Sequence, residues 1–235
     1  MRPIVRILAA LTCAALTVGA GKPLPAKPHP NWLATFAADA EGRHVLGNPA
    51  AKVKLTEYVS YTCSHCAHFY VESDVALRLG AIQPGTVSLT INNVIRNPVD
   101  LTVAMLTECG DPKQFFRRHG VFFSTQSTWL ARANRFAEAQ QQRWYTGDEA
   151  ARLRAIAHDF DFYTVVAQWG ITRAKADTCL ADAKVRDRIK VQHGKAIAEG
   201  VQGTPSFSLN GVLLADAYDW PTLQTAIKER LTPGV

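Results

Sequence analysis

Four residues, Cys63-Ser64-His65-Cys66, stand where the pattern of the chain changes period, and that junction constrains the fold more than any other stretch. Ahead of it Val53, Leu55, Tyr58 and Val59 make a β-type run, and behind it Cys66, Phe69, Tyr70, Ser73 and Leu77 recur at helical spacing. The two cysteines therefore open a helix. The first N–H groups of a helix lack partners and its dipole is positive there, so a thiolate on Cys63 is favoured over the thiol. Cys66, one turn along and facing inward, is the thiol that resolves a mixed disulfide. A purely structural bridge across so short a loop adds little stability. Zinc needs four well-spaced ligands, and only His65 and His68 lie close by. The reading requires no metal and no cofactor.

The chain starts with Arg2 and Arg6, continues in an apolar run from Ile7 to Val18 that is too short to cross a bilayer, and reaches small residues at Val18-Gly19-Ala20. Residues 1–20 read as a secretory signal. Its removal leaves 235 − 20 = 215 residues outside the cytoplasm, with no stable membrane insertion after cleavage. It also discards Cys13 and leaves an even set, Cys63, Cys66, Cys109 and Cys179. Cys109 and Cys179 read either as a structural disulfide, worth about 4 kcal/mol for its loop length, or as two separate buried thiols. The net charge of +6 becomes +4 without Arg2 and Arg6. Basic residues are dispersed among acidic ones, with no basic and aromatic stripe of the kind nucleic-acid binding uses.

Residues 22–30 hold four prolines and read as an extended leader. Asn31 to Ala40 is expected to form a short helix docking through Trp32, Leu33 and Phe36. A short edge strand is expected at His44–Gly47, a second strand at Val53–Val59, and a helix from Cys63 to about Leu79. The strand at Val87–Val94 then completes a right-handed, parallel strand-helix-strand unit. From Val99 to Glu199 helix follows helix, including Trp129–Arg143, Glu149–Asp159, Arg173–Leu180 and Ala183–Glu199. A hairpin turning at Asn210-Gly211 and a helix over Trp220–Leu231 close the chain.

This order, with Glu57 six residues before Cys63 and Gly203-Thr204-Pro205 directly before the hairpin, resembles the DsbA-like branch of the thioredoxin superfamily over roughly Val45 to Leu231. The resemblance implies an α/β fold: a thioredoxin-like central mixed sheet flanked by helices, with an inserted all-helical domain. The corresponding boundaries are 1–20 signal peptide, 21–40 leader and short helix, 41–97 and 201–235 the two thioredoxin-like parts, and 98–200 the insertion. In that family a His before the second cysteine goes with a strongly oxidising enzyme, and the His65 imidazole is positioned by sequence to donate to the Cys63 thiolate. Proline is common where this chain has Ser64. The family also places an acidic residue beneath the second cysteine to move its proton. Glu57 shares a strand face with Val53, Leu55 and Val59, so its carboxyl should be desolvated and its pKa raised. Thr204-Pro205 corresponds to a cis-proline loop whose residue before the proline offers its backbone to an extended substrate. Thr204 stands where the best-known oxidase of the family has valine and where several superfamily members, isomerases among them, have threonine.

The expected function is therefore a periplasmic thiol:disulfide oxidoreductase that transfers a Cys63–Cys66 disulfide to reduced, newly secreted proteins. A membrane partner coupled to quinones would reoxidise it, as the resemblance implies. The alternatives are a disulfide isomerase or reductase on the same fold, and a thioredoxin-like module that binds substrates without catalysis.

Overall fold

In the computed structural model, which describes residues 30–232, a 3-10 turn at Trp32–Ala34 leads into the first of six strands. These are β1 (Phe36–Ala38), β2 (His44–Gly47), β3 (Val53–Val59), β4 (Val87–Asn93), β5 (Ser206–Leu209) and β6 (Val212–Leu213), in the sheet order β1-β2-β4-β3-β5-β6. The expected signal at residues 1–20 lies outside the described residues, as does most of the proline-rich leader. Strands β3 and β4 are parallel, in register from Val53↔Val87 to Val59↔Asn93, and every other pairing is antiparallel. Helix α1 (Ser64–Leu77) connects the parallel pair and runs into a π turn at Arg78–Ile82. Every residue of β4 and β5 is buried, as expected of strands covered on both faces.

Two expectations at the N-terminal end are corrected. The helix expected over Asn31–Ala40 is the 3-10 turn followed by β1, which pairs with β2 through Phe36↔Leu46 and Ala38↔His44. The cause is a turn just beyond it. The Asp39 carboxylate accepts the Glu41 and Arg43 backbone N–H groups at 3.0 and 2.9 Å, and Gly42 takes φ +70°, so the chain reverses into a hairpin. Consequently β2 is not an edge strand, because β1 covers one side of it and β4 the other.

Between β4 and β5 lies the helical block: α2 (Pro98–Glu108), α3 (Phe115–Ser124), α4 (Gln126–Leu130), α5 (Glu138–Gln142), α6 (Glu149–Asp159), α7 (Phe162–Ala167), α8 (Arg173–Leu180) and α9 (Ala183–Ala198). Asn97 caps α2 by accepting from Val99 and Asp100 N–H, with proline at the first helical position. Residues Val99 to Thr107 are all buried, so α2 is the axis on which α3, α6, α8 and α9 pack. The single helix expected over Trp129–Arg143 is broken instead. Phe136 packs edge-on to Trp144 and Phe160, with ring centroids 5.4 Å apart in each case, and that contact draws the chain out of helical conformation between α4 and α5. Cys109, directly after α2, is bonded to Cys179 of α8. Helix α10 (Trp220–Leu231) follows the β5–β6 hairpin, whose turn residues Asn210 and Gly211 both have positive φ.

Candidate active site

Cys63 is the N-cap residue of α1, extended in backbone (φ −85°, ψ 117°), with its carbonyl already accepting from Ala67 N–H at 3.2 Å. Cys66 is one turn into the helix and fully buried, and both are free thiols in this structure. The Cys63 Sγ donates to the Thr204 carbonyl at 3.1 Å. Thr204-Pro205 is a cis peptide bond directly ahead of β5, and β5 pairs with β3, so the sheet itself holds this loop against the helix start. Sequence positions 63 and 204 thus meet.

The electrostatics of the two sulfurs differ. The Cys63 thiol is pulled down to about 4, first by a hydrogen bond from the Cys66 side chain, against the opposing effect of burial, then by the Thr204 side chain and the backbone N–H groups of Cys66 and His65. Cys66 is pushed well above its ordinary value, first by burial and then by its neighbour Cys63. Of the two sulfurs, Cys63 is therefore the one that gives up its proton more readily, and Cys66 the one that keeps it. The His65 imidazole is exposed and makes no hydrogen bond among the described residues. Its expected contact with the Cys63 thiolate is replaced by the backbone N–H of the same residue.

Glu57 is buried on β3, on the face it shares with Val53, Leu55 and Val59. Its carboxyl is pushed up to about 8, chiefly by burial and then by the Asp74 carboxylate on α1, with Arg78 opposing. At neutral pH most of it carries a proton.

Several residues that sequence reasoning missed hold the approach to Cys63. Asp100, fully buried on α2, accepts from Ser60 Oγ, Thr62 N–H and Arg96 N–H, each at 2.8 Å. Asn97 Nδ2 donates to Thr62 Oγ1 at 2.9 Å. From α4, Gln126 Nε2 donates to the carbonyls of Tyr61 and Cys63 at 2.7 and 2.8 Å. The Tyr61 ring stacks on Phe123, centroids 4.9 Å apart, and its hydroxyl meets His119 Nδ1 at 2.9 Å. Burial holds His119 down to about 3, so it is a neutral partner. The helical block thus clamps the turn that leads into Cys63. The Asn97-Pro98 pair, a few residues beyond a strand, was the one sequence signal available for this, as a helix cap. Nothing around Gln126, some sixty residues from the cysteines, marked it.

A cavity of about 420 Å³ opens beside Cys63, lined by His65, Ile95, Arg96, His193, Ile197 and the loop from Val201 to Thr204.

Comparison with known proteins finds relatives over most of the chain. The family model described as Thioredoxin matches residues 39–229. A crystal structure of a protein-disulfide isomerase from Novosphingobium aromaticivorans is 43% identical, with TM-score 0.79 over 84% of this chain and 100% of that one. Wolbachia pipientis alpha-DsbA1, 18% identical, has the same fold at TM-score 0.63 over 82% of this chain and 92% of that one. A Rickettsia bellii protein provisionally named a protein-disulfide oxidoreductase is 26% identical over 200 residues, 84% of this chain and 67% of that one.

Proposed function

This chain belongs to the thioredoxin family, as a DsbA-like thiol:disulfide oxidoreductase, and on that premise we propose that it donates the Cys63–Cys66 disulfide to reduced proteins exported with it. In the proposed cycle a substrate thiolate attacks Cys63 Sγ of the oxidised pair. The Cys63–Cys66 bond breaks, and Cys66 leaves as a thiolate that takes a proton, for which buried, protonated Glu57 is the proposed source. The substrate is then held as a mixed disulfide beside Thr204 and Pro205. A second substrate thiolate attacks the substrate sulfur and expels Cys63 as its thiolate. Two thiols have become one disulfide, and two electrons have passed to the enzyme pair. Cys66 attacking the mixed disulfide runs the same steps backwards.

The single observation that carries this reading is the place of Cys63 Sγ, at the α1 N-terminus and 3.1 Å from the Thr204 carbonyl of the cis-proline loop. A stabilised leaving thiolate makes the oxidised pair a ready disulfide donor. The Thr204 backbone offers an extended substrate a short added strand at the sulfur. The charged and apolar pattern at residues 1–20 supports export, and hence a periplasmic site of action; a quinone-coupled membrane partner for reoxidation is proposed on the family resemblance alone.

A second reading, disulfide isomerase, is favoured by the name of the 43% identical Novosphingobium aromaticivorans protein. Two assays separate the readings: oxidative refolding of a reduced protein by a stoichiometric amount of the oxidised enzyme, and rescue of a scrambled protein by the reduced enzyme. The donor reading expects the first to dominate and to vanish in Cys63→Ala. Efficient unscrambling with little net oxidation would support the isomerase instead.

A further inference from the structure

The groove beside Cys63 has a charge character that disulfide exchange alone does not require. Its walls come from the active-site turn (His65), the loop after β4 (Ile95, Arg96), α9 (His193, Ile197) and the loop before Pro205 (Val201). No acidic side chain lines it among the described residues. Arg96 is exposed, and its guanidinium has no hydrogen bond or ion pair among the described residues. Acids on neighbouring elements are engaged elsewhere: Glu199 accepts the Tyr58 hydroxyl at 2.5 Å, and Glu41 is paired with Lys195.

The cationic wall is also built into the site. Asp100 accepts Arg96 N–H on one carboxylate oxygen and Ser60 and Thr62 on the other, so one buried group ties the Arg96 backbone to the residues leading into Cys63. From α9, His193 Nδ1 accepts Ile95 N–H at 3.2 Å. That bond leaves the imidazole proton on Nε2, so even neutral His193 offers a donor. Beside these groups, Ile95, Ile197 and Val201 supply an apolar surface for a short carbon chain.

We propose that this groove is a subsite for a carboxylate carried next to the reacting sulfur of the substrate, with Arg96 as the charge partner and His193 as a second donor. The inference rests on the reading of Cys63 as the exchanging sulfur. Two kinds of thiol supply such a carboxylate: a protein cysteine flanked by an acidic residue, and a small thiol peptide such as glutathione.

The test measures second-order rate constants for reduction of the oxidised full-length protein, as wild type, Arg96→Glu and Arg96→Gln. One pair of substrates is a single-cysteine peptide with Glu or Lys before the cysteine. The other pair is glutathione and its diethyl ester. The readout is the rate ratio within each pair. Comparing that ratio between proteins cancels the intrinsic difference in thiol acidity. The expected result is a fall in the acid-over-base ratio of about tenfold from wild type to Arg96→Glu, with Arg96→Gln between them, as reversal of one site charge implies. A fall confined to the peptides identifies flanking acidic residues as the ligand, a fall confined to glutathione identifies the small thiol, and a fall in both supports the shared chemistry. Ratios unchanged across the three proteins overturn the subsite. Reduction of the Cys63–Cys66 bond by uncharged dithiothreitol, followed in the Cys109→Ala, Cys179→Ala protein, separates the two failures: if it does not occur, exchange at Cys63 is wrong, and if it does, only the subsite is.

Discussion

From α4, in the middle of the helical block, Gln126 donates a hydrogen bond to the backbone carbonyl of Cys63 at 2.8 Å. The same Nε2 donates to the Tyr61 carbonyl at 2.7 Å, so one buried amide spans the turn that leads into Cys63. Replacing it with leucine leaves the Tyr61 carbonyl without this donor, while Cys63 O keeps Ala67 N–H. Gln126→Leu is expected to cost about 1–3 kcal/mol in denaturant unfolding and to move the Cys63 thiolate titration upward. Unchanged stability and titration would show that the clamp is incidental.

Asp100→Asn places an NH₂ group where at least one donor points, because the native carboxylate accepts Ser60 and Thr62 on one oxygen and Arg96 on the other. An expected loss of about 1–3 kcal/mol follows from the donor left unpaired. Equilibrium unfolding of the two proteins measures it directly.

Glu57 gives stability a pH dependence of predictable sign. Its carboxyl titrates near 8 in the folded chain against an ordinary value of 4.5, so between those limits the native state holds a proton the unfolded chain has lost. Stability attributable to Glu57 therefore falls as pH rises through this window, by at most about 1.4 kcal/mol per pH unit, and levels off above it. Glu57→Gln should flatten that slope. Unfolding should be followed in the oxidised protein, where Cys63 does not titrate.

In the reduced protein Cys63 acts with the opposite sign. Its folded value of about 4 lies below the ordinary 9.0, so the unfolded chain binds the extra proton and reduced-state stability rises with pH between those limits. The ultraviolet absorbance of the thiolate should appear near pH 4. Thr204→Val, which removes the hydroxyl beside the sulfur and leaves the backbone in place, should move that midpoint upward.

Removing the Cys109–Cys179 bond with a double alanine substitution should lower stability by about 4 kcal/mol in the chain-entropy treatment, since it closes a loop of 70 residues. The Cys63 thiolate titration should stay where it is, because neither alanine touches the Cys63 turn.

What could be read from the sequence follows from how local each signal is. Cys63 and Cys66 sit at a period change, Asn210-Gly211 marks a two-residue turn, and Glu57 stands on an apolar strand face. Each is decided by its immediate neighbours. The β1–β2 hairpin was hidden because Trp32, Leu33 and Phe36 also fit helical spacing, while the deciding interactions are side-chain to backbone bonds from Asp39. The break at Phe136 depends on Trp144 and Phe160, which only the packed block brings together. Asp100, Gln126 and His119 escaped notice for the same reason. Each supports the Cys63 turn across 38 or more residues of chain, and in isolation each is an unremarked polar residue in a helical pattern.

The central claim is that the Cys63–Cys66 pair is held ready to give its disulfide away, and the reduction potential of that pair tests it most directly. Equilibration with glutathione, with Cys109→Ala and Cys179→Ala together as the control that the transition belongs to this pair, should give a value near about −120 mV, that of a strong disulfide donor. A value near about −270 mV, that of a reductase, would contradict the account and leave a reducing role on the same fold.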